Sequence, residues 1–144
     1  MKVHVLNGPN LNLLGKREPD VYGVASIEDL ESAVRAEAKS LGCEISFRQT
    51  NSEAELIDWI QQAIEEKAAV VLNPAAFTHY SYALRDACAA LTGMGLDLIE
   101  VHISNPHARE QFRQNSVISA VATGVIAGFG HQSYILALKA LASR

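Results

Sequence analysis

The sequence predicts a single α/β domain in which a five-stranded parallel sheet is covered by helices on both faces. Apolar runs of strand length alternate five times with segments in which apolar residues recur at helical spacing. Hydrophobic residues make up 49% of the chain and charged residues 19%, which is ordinary for a globular protein. Because a chain of 144 residues buries roughly two-thirds of its unfolded surface, we expect one domain spanning residues 1–144.

The predicted strands are short and are followed by turn residues. The run at 68–72 is almost continuously apolar, which indicates a strand buried on both faces. The run at 2–6 ends at Asn7, Gly8 and Pro9, three residue types that favour turns. In chain order, strands are predicted at residues 2–6, 44–49, 68–72, 96–101 and 124–129.

The predicted helices begin at capping residues. Ser26 stands three residues before Asp29, and Ser52 and Glu55 have the spacing of a capping box. Thr78 is in position to cap the third of the main helices. The main helices are predicted at about residues 27–41, 53–64, 79–91 and 131–142, with a shorter helical piece near 109–113.

Polar residues follow the strands at the points where they end. Right-handed crossovers make a doubly wound, flavodoxin-like sheet of order 2-1-3-4-5 the simplest arrangement. Such sheets bind ligands beyond the carboxyl ends of their strands, at the switch point between strands one and three. The sequence therefore predicts a small-molecule site at this edge. The polar residues are Asn7 and Asn10 after the first strand, Asn51 after the second, Asn73 after the third, and His102 and Ser104 after the fourth.

Charge, cysteine usage and apolar run length exclude several classes of protein. The net charge of −4 argues against a nucleic-acid or membrane-surface binder, since these concentrate Lys and Arg. No apolar run approaches the roughly 18 residues of a membrane span, and the first residues lack the pattern of a secretion signal, so we expect none. Cys43 and Cys88 have neither CxxC nor metal-site spacing, so we expect buried, reduced thiols in a cytoplasmic protein.

Glu100 and His102 are two residues apart on a predicted strand, so their side chains share a face of the sheet. A carboxylate beside an imidazole fixes the imidazole tautomer and stabilises its protonated form, which suits a general acid near neutral pH. A structural pair at a strand end fits the same spacing equally well.

The loop from Asn7 to Gly23 contains more polar and turn-forming residues than a structural connection requires. Arg17 lies five residues before Tyr22, and a guanidinium about 4 Å from a phenolate supplies roughly 4 kcal/mol at an effective dielectric near 20. A second cation such as Arg109 adds to this effect. Tyr22 is therefore a candidate base, although a packed ring with a hydrogen-bonded hydroxyl is the commoner role for a lone tyrosine.

Several further residues each have two interpretations. Asn73 binds a ligand or caps a turn, and His79 belongs to a site or to the surface. The backbone N–H groups of Ile103 and Ser104 offer a carboxylate cradle where the sheet ends, as many loops do.

Cationic residues and histidine spacing provide little further information about the site. Arg109 and Arg113 are four residues apart, which places them on one face of the predicted helical piece, where they clasp an anion or only solvate that face. The five histidines lack zinc-ligand spacing, and no Walker or GxGxxG loop is present.

Four segments closely resemble the type II 3-dehydroquinate dehydratases: NGPNLNLLGKREPDVYG, RQTNSEAELIDWI, NPAAFTHYSYALRDA and EVHISNPHAREQFRQNS. The similarity runs from the first strand into the last helix. It implies a flavodoxin-like fold and reversible dehydration of 3-dehydroquinate to 3-dehydroshikimate, in the shikimate pathway or in quinate breakdown. It also implies no metal, no organic cofactor, and assembly into a homododecamer of four trimers.

The resemblance also implies roles for individual residues. Tyr22 would be the base, Arg17 and Arg109 would hold it as a phenolate, and Asn10 would stabilise the enolate. His102, oriented by Glu100, would protonate the departing hydroxyl. The implied substrate-binding residues are Asn73, Ile103 and Ser104 for the carboxylate, His79 and Arg113 for ring hydroxyls, and Asp86 reaching the site of a neighbouring subunit.

The sequence departs from the family pattern at three positions. Ala75 and Tyr80 stand where the family commonly has a glycine and a threonine, and Ala90 stands where some relatives carry a carboxylate. We expect effects on substrate affinity or assembly, because no implied catalytic group is lost.

A non-enzymatic module of the same fold is the competing interpretation, either a flavin carrier or a phosphoacceptor receiver. A receiver needs acidic residues after strands one and three, but this chain has Asn7, Asn10 and Asn73 there. Within the first loop, we expect Asn7 to Asn10 to be fixed at the sheet edge and residues 17–23 to form a lid.

Overall fold

The computed structural model describes all residues, 1–144, and contains one five-stranded sheet. Every strand pairs in parallel with its neighbours, and the order across the sheet is β2-β1-β3-β4-β5. The predicted order is therefore confirmed. The strands are β1 (Lys2–Asn7), β2 (Glu44–Gln49), β3 (Ala69–Asn73), β4 (Leu98–His102) and β5 (Gly124–Ala127).

Helices cover both faces of the sheet, as predicted. Two of the four long helices, α2 and α5, pack on the face that carries Val3 and Val5. The other two, α3 and α4, pack on the face that carries Leu6 and Leu72. The helices are α1 (Pro19–Tyr22), α2 (Ile27–Ser40), α3 (Glu53–Glu65), α4 (Tyr82–Gly93) and α5 (Gln132–Ala142).

Alternation along the central strands divides the core into two layers. Val3 and Val5 point to one layer, and Leu6 and the helix residues Leu56 and Ile60 belong to the other; all five are fully buried. Burying a side chain of this size contributes about 1.5–3 kcal/mol. These two layers hold the carboxyl ends of β1, β3 and β4 in fixed positions.

The predicted caps are partly confirmed. The Ser26 hydroxyl accepts a hydrogen bond from the Asp29 N–H, and the Asp29 carboxylate accepts one from the Ser26 N–H, which completes a capping box. Ser52 caps α3 by accepting from the Glu55 N–H. The second half of that box is missing, because the Ser52 N–H donates to the Thr50 hydroxyl instead.

The predicted start of α4 is wrong by three residues. Ser81, and not Thr78, caps this helix, by accepting a hydrogen bond from the Leu84 N–H. Thr78 and His79 belong instead to a preceding 3-10 helix, Ala75–His79. The Thr78 carbonyl accepts from the Val117 N–H, which ties this turn to the segment after β4.

The predicted helical piece near residues 109–113 is confirmed only in part. Two short 3-10 helices, Pro106–Ala108 and Gln111–Gln114, flank an extended backbone at Arg109 and Glu110. Arg109 and Arg113 therefore do not share a helical face.

Both cysteines are free; Cys88 is buried, as predicted, but Cys43 is only half-buried. Burial raises the pKa of the Cys88 thiol to about 12. None of the helices is both long and apolar enough to cross a membrane.

Candidate active site

The carboxyl edge of the sheet brings together the polar ends of its central strands. Asn7 at the end of β1 is in register with Asn73 at the end of β3, and His102 ends β4. All three side chains are at least nine-tenths buried. The polar residues therefore converge at the edge where the sequence predicts a site, and their side chains are built into the core.

A hydrogen-bond chain fixes the two strand-end asparagines. The Asn73 amide donates to the Tyr134 hydroxyl at 2.8 Å, and that hydroxyl donates to Asn7 Oδ1 at 2.7 Å. Asn73 Oδ1 accepts from the Ala75 N–H at 3.1 Å. The Asn73 amide keeps one N–H that has no partner within the chain. Tyr134 is completely buried on α5, and this burial raises the pKa of its hydroxyl, which stays protonated.

Sequence reasoning missed Tyr134 as part of the site. Its position in α5 only indicates an inward-facing residue of an amphipathic helix. Nothing in the local sequence links it to Asn7 and Asn73, because those contacts span 127 and 61 residues. Only the packing of α5 against β3 brings the Tyr134 hydroxyl to both asparagines.

The backbone after β4 offers free hydrogen-bond donors. The N–H groups of Ile103 and Ser104 donate to no carbonyl or side chain in the chain. The Ser104 hydroxyl accepts from Arg109 Nη1 at 3.3 Å. Two adjacent free N–H groups beside a guanidinium make a suitable setting for an anionic group.

Tyr22 lies beside two guanidinium groups. Arg17 Nη2 donates to the Tyr22 hydroxyl at 3.2 Å, and the Arg17 guanidinium carbon is 4.7 Å from the ring centroid. The Arg109 guanidinium carbon is 5.0 Å from the same centroid. Glu18 contacts both arginines, at 3.1 Å and 4.0 Å. Two guanidinium groups therefore lie against one tyrosine ring.

This tyrosine is carried by a segment with little anchoring. Pro19–Tyr22 is a single helical turn without a buried residue, and Glu18 before it has a left-handed backbone with φ 40°. Gly15 and Gly23 bracket the segment, with φ 82° and 80°. A Cβ at Gly15 would meet the Val24 carbonyl oxygen at 2.7 Å, so that position requires glycine.

Glu100 and His102 form a buried pair. His102 Nε2 donates to Glu100 Oε2 at 2.5 Å, and Glu100 is only 1% exposed. Burial opposes the charge on Glu100, but hydrogen bonds from His102, Ser119 and Ser116 outweigh it and hold the pKa of this carboxyl below its usual range. His102 Nδ1 has no partner within the chain, so it is the ring nitrogen available to a ligand.

The predicted site residues do not line a single cavity. The first cavity, of about 400 Å³, is lined by Tyr22, Ile103, Ser104 and Arg109. The second, of about 360 Å³, is lined by residues that include Glu100, His102 and Arg113. Residues 104–109 contribute to both, so this segment lies between them. The predicted residues that line neither cavity are Asn10, Arg17, Asn73, His79 and Asp86.

His79 and Arg113 belong to the second cavity's surroundings. His79 Nδ1 donates to the Asn115 carbonyl at 2.8 Å. Its partial burial, together with the positive charges of Arg113 and His102, lowers the pKa of His79, which keeps Nε2 unprotonated. Arg113 donates to Glu110 at 3.0 Å.

Neither Asn10 nor Asp86 hydrogen-bonds to another of the predicted site residues. Asn10 has a left-handed backbone with φ 68°, and its N–H donates to Asn51 Oδ1. Asp86 lies on α4, where its side chain is 77% exposed and pairs with Arg85. Asp86 therefore does not contribute to the site of its own chain. No group of three His, Cys, Asp or Glu side chains is arranged to hold a metal ion.

Comparison with known proteins gives a consistent picture. The sequence profile of the family described as dehydroquinase class II matches residues 1–142. The 3-dehydroquinate dehydratase of Brucella canis is 54% identical over 141 residues, covering 98% of this chain and 88% of the relative. The type II dehydroquinase of Propionibacterium acnes, a solved structure, is 47% identical with a TM-score of 0.95, covering 99% of this chain and 97% of that one. The type II dehydroquinase of Butyrivibrio crossotus has the same TM-score at 45% identity, over 98% and 97% of the two chains.

The doubly wound sheet carries buried polar residues at its carboxyl edge, which is where α/β enzymes of this architecture bind small molecules. The chain belongs to the dehydroquinase class II family.

Proposed function

We propose that the chain catalyses the reversible dehydration of 3-dehydroquinate to 3-dehydroshikimate by anti elimination through an enolate. The observation that carries this proposal is that two side chains suited to proton transfer, Tyr22 and His102, have different surroundings. Tyr22 lies between guanidinium groups, and His102 lies against a buried carboxylate. The substrate and reaction come from the family and its named relatives.

Tyr22 acts as the base. As a phenolate it removes the proton alpha to the ketone, and the electron pair of the broken C–H bond becomes the enolate. Arg17 and Arg109 stabilise the phenolate, and Asn10 supports the negative charge on the enolate oxygen. The hydrogen bond from Arg17 to the Tyr22 hydroxyl supports this assignment.

His102 acts as the acid. Its Nδ1–H gives a proton to the departing hydroxyl while the enolate electrons form the new carbon–carbon double bond, and water leaves. Glu100 accepts the Nε2–H, which fixes the tautomer and stabilises the imidazolium before the transfer. Because Nδ1 has no other partner, its proton is free to move to the substrate.

The substrate carboxylate binds to the N–H groups of Ile103 and Ser104 and to the free amide N–H of Asn73. His79 and Arg113 contact ring hydroxyls. This binding mode draws support from donors that the protein itself leaves unused. It places the ring next to residues 104–109, which border both cavities.

Residues 16–23 close over the bound substrate as a lid. The single turn of α1 has no buried residue, and flanking glycines allow it to swing. Crystals with and without a ring-carboxylate inhibitor test this point. Unchanged order and position of residues 16–23 in the two crystals contradicts the lid and leaves the role of Tyr22 intact.

The enzyme works in the cytoplasm as a homo-oligomer, a dodecamer of four trimers, in the shikimate pathway or in quinate breakdown. The exposed position of Asp86 on α4 is consistent with its reaching the site of a neighbouring subunit. Light scattering measures the mass of the assembly directly. A monomer that is fully active would contradict the part assigned to Asp86.

The deciding experiment adds 3-dehydroquinate to the purified protein and follows the ultraviolet absorbance of the conjugated product. We expect a rise in absorbance, without added metal or cofactor, that disappears in Tyr22→Phe. A colourless, active protein excludes a flavin carrier. A protein that purifies yellow and leaves 3-dehydroquinate unchanged contradicts the proposal.

A further inference from the structure

Glu100 is held by two serine hydroxyls that lie outside the residues so far given a role. The Ser119 hydroxyl donates to Glu100 Oε1 at 2.8 Å. The Ser116 hydroxyl lies 3.0 Å from Oε1 and 3.2 Å from Oε2. Together with His102 Nε2 on Oε2, these donors occupy both oxygens of the carboxylate.

The orientation of the Ser116 hydroxyl is fixed by the backbone. Its oxygen accepts from the N–H groups of Ile118 at 3.1 Å and Ser119 at 3.0 Å. A hydroxyl has two acceptor positions and one hydrogen. Because both acceptor positions are used, the hydrogen of Ser116 points to Glu100, and this arrangement needs Glu100 as an acceptor.

The segment that carries the serines is pinned to the core. Ile118, between them, is completely buried in the layer formed with α3 and α4. The Val117 N–H donates to the Thr78 carbonyl at 2.8 Å. The two hydroxyls are therefore pre-organised around Glu100, and they do not depend on substrate for their positions.

Several ionisable groups share this environment. His102 on the same strand, His79 near the second cavity and Cys88 on α4 all interact electrostatically with Glu100. Arg113 acts on His79. A buried carboxylate surrounded by an apolar core takes up a proton unless donors compensate for its desolvation. The serines supply two such donors in addition to the imidazole, and both of them reach Oε1, the oxygen that His102 does not bind.

We propose that Ser116 and Ser119 are positioning residues that keep Glu100 ionised and aligned with His102, and so control proton delivery to the leaving hydroxyl without touching the substrate. This inference rests on the proposed function for its effect on catalysis. The competing explanation is that the hydroxyls only fill and satisfy a buried corner of the fold.

Ser119→Ala tests the proposal, because Ser119 donates to Glu100 without carrying the backbone bonds of Ser116. We expect kcat to fall by about tenfold, the order expected for a lost hydrogen bond to a charged group, with KM changed by less than about twofold. The pH below which kcat declines should move up by about one unit, since Glu100 then protonates more readily. Ser119→Thr keeps the hydroxyl and should restore most of kcat, and Ser32→Ala, at an exposed position of α2, controls for loss of a serine.

The decisive comparison repeats Ser119→Ala in a Glu100→Gln background. If the serine acts through the charge of Glu100, the second substitution should lower kcat by less than about twofold more. An equal tenfold loss in both backgrounds, or an unchanged pH profile in Ser119→Ala, overturns the proposal. Thermal unfolding of each variant identifies any loss of activity caused by misfolding.

A measurement independent of catalysis separates this inference from the proposed function. Nitrogen-15 NMR of the His102 ring in the wild-type protein should show a proton fixed on Nε2, and Ser119→Ala should change its titration. A wild-type protein without dehydratase activity that shows this behaviour refutes the function and leaves the positioning role intact. An active protein whose His102 titration is the same in Ser119→Ala refutes the positioning role alone.

Discussion

The two groups proposed to transfer protons are held in opposite ways. His102 and Glu100 lie at the end of a central strand, and both are at least nine-tenths buried. Tyr22 lies in a single exposed helical turn whose contacts to Arg17 and Arg109 run between side chains. The proposed acid is therefore enclosed by the core, whereas the proposed base is half-buried against the edge of the core and is held by contacts between side chains.

Because of this difference, we expect substitutions in the two regions to affect stability and activity in different proportions. Changing a buried, hydrogen-bonded residue leaves unpaired partners behind and costs folding free energy. Changing a residue of an exposed turn costs little folding free energy, because water replaces the lost contacts. Substitutions in the proposed lid, residues 16–23, should therefore affect the rate alone, while substitutions at Glu100 or His102 should affect both rate and stability.

Tyr22→Phe is expected to have the largest effect on rate and almost none on stability. Loss of the base should lower kcat by about a thousandfold, within the range usual for general-base catalysis. The melting temperature should stay within about 1 °C of wild type, because the exposed turn adds little to the core. Turnover and thermal unfolding measure the two quantities. A wild-type rate would refute the role of Tyr22, and a large drop in melting temperature would refute the contrast between the regions.

Arg17→Ala should lower kcat by about ten- to a hundredfold. The Arg17 side chain is 32% exposed, so solvent screening reduces its effect on the phenolate well below the value for an unscreened pair. The loss should be smaller at high salt, which weakens this interaction in the wild type as well. Arg35→Ala, at a solvent-exposed pair on α2, is a matched control that should leave kcat unchanged. A salt-independent loss would indicate that Arg17 only positions the lid.

Glu100→Gln should lower both rate and stability. The neutral amide cannot stabilise an imidazolium, so we expect kcat to fall by about tenfold or more, together with about 1–3 kcal/mol of unfolding free energy from the disturbed hydrogen bonds. The pKa of Glu100 is held below its ordinary value of 4.5. Its ionised form therefore contributes stability above that pH, and this contribution disappears as pH falls through the folded-state value.

Denaturation at several pH values tests the direction in which the stability contribution of Glu100 changes with pH. The stability difference between wild type and Glu100→Gln should be constant near neutral pH and shrink below about pH 4.5. Glu66, whose pKa is lowered to about 2 by hydrogen bonds from His4, Gln62 and Lys2, is present in both proteins and cancels from the difference. A difference that grows on acidification would show that Glu100 is protonated in the folded protein.

Most of the fold could be predicted from the sequence because its signals are local. Strand order followed from the alternation of strands and helices together with the handedness of crossovers, and the Ser26 cap followed from residue spacing. The start of α4 could not be predicted in this way. Thr78 and Ser81 are both good caps, and the choice between them depends on a contact between Thr78 and Val117, 39 residues later.

The site was predictable where it follows strand ends and less so where it depends on distant contacts. Asn73 and His102 lie at the edge that the topology indicated. The partners that fix them, Tyr134 and the serines around Glu100, come from other elements, and serines and tyrosines in such segments have many ordinary roles. The separation of Arg109 from Arg113 arises because the backbone between them is extended, a conformation that four-residue spacing does not reveal.

Ala75→Gly should have the smallest effect and tests whether the fixed region is itself strained. Ala75 has a left-handed backbone with φ 50°, which costs a non-glycine residue about 1–2 kcal/mol. Glycine removes this cost and adds about 0.5–1 kcal/mol of unfolded-chain entropy, so unfolding free energy should rise by about 0.5–1 kcal/mol. Ala36→Gly, on the exposed side of α2, should instead lose about 1 kcal/mol. If the two substitutions lower the unfolding free energy equally, Ala75 is not strained in the wild-type protein. The turn after Asn73 then stores no backbone strain.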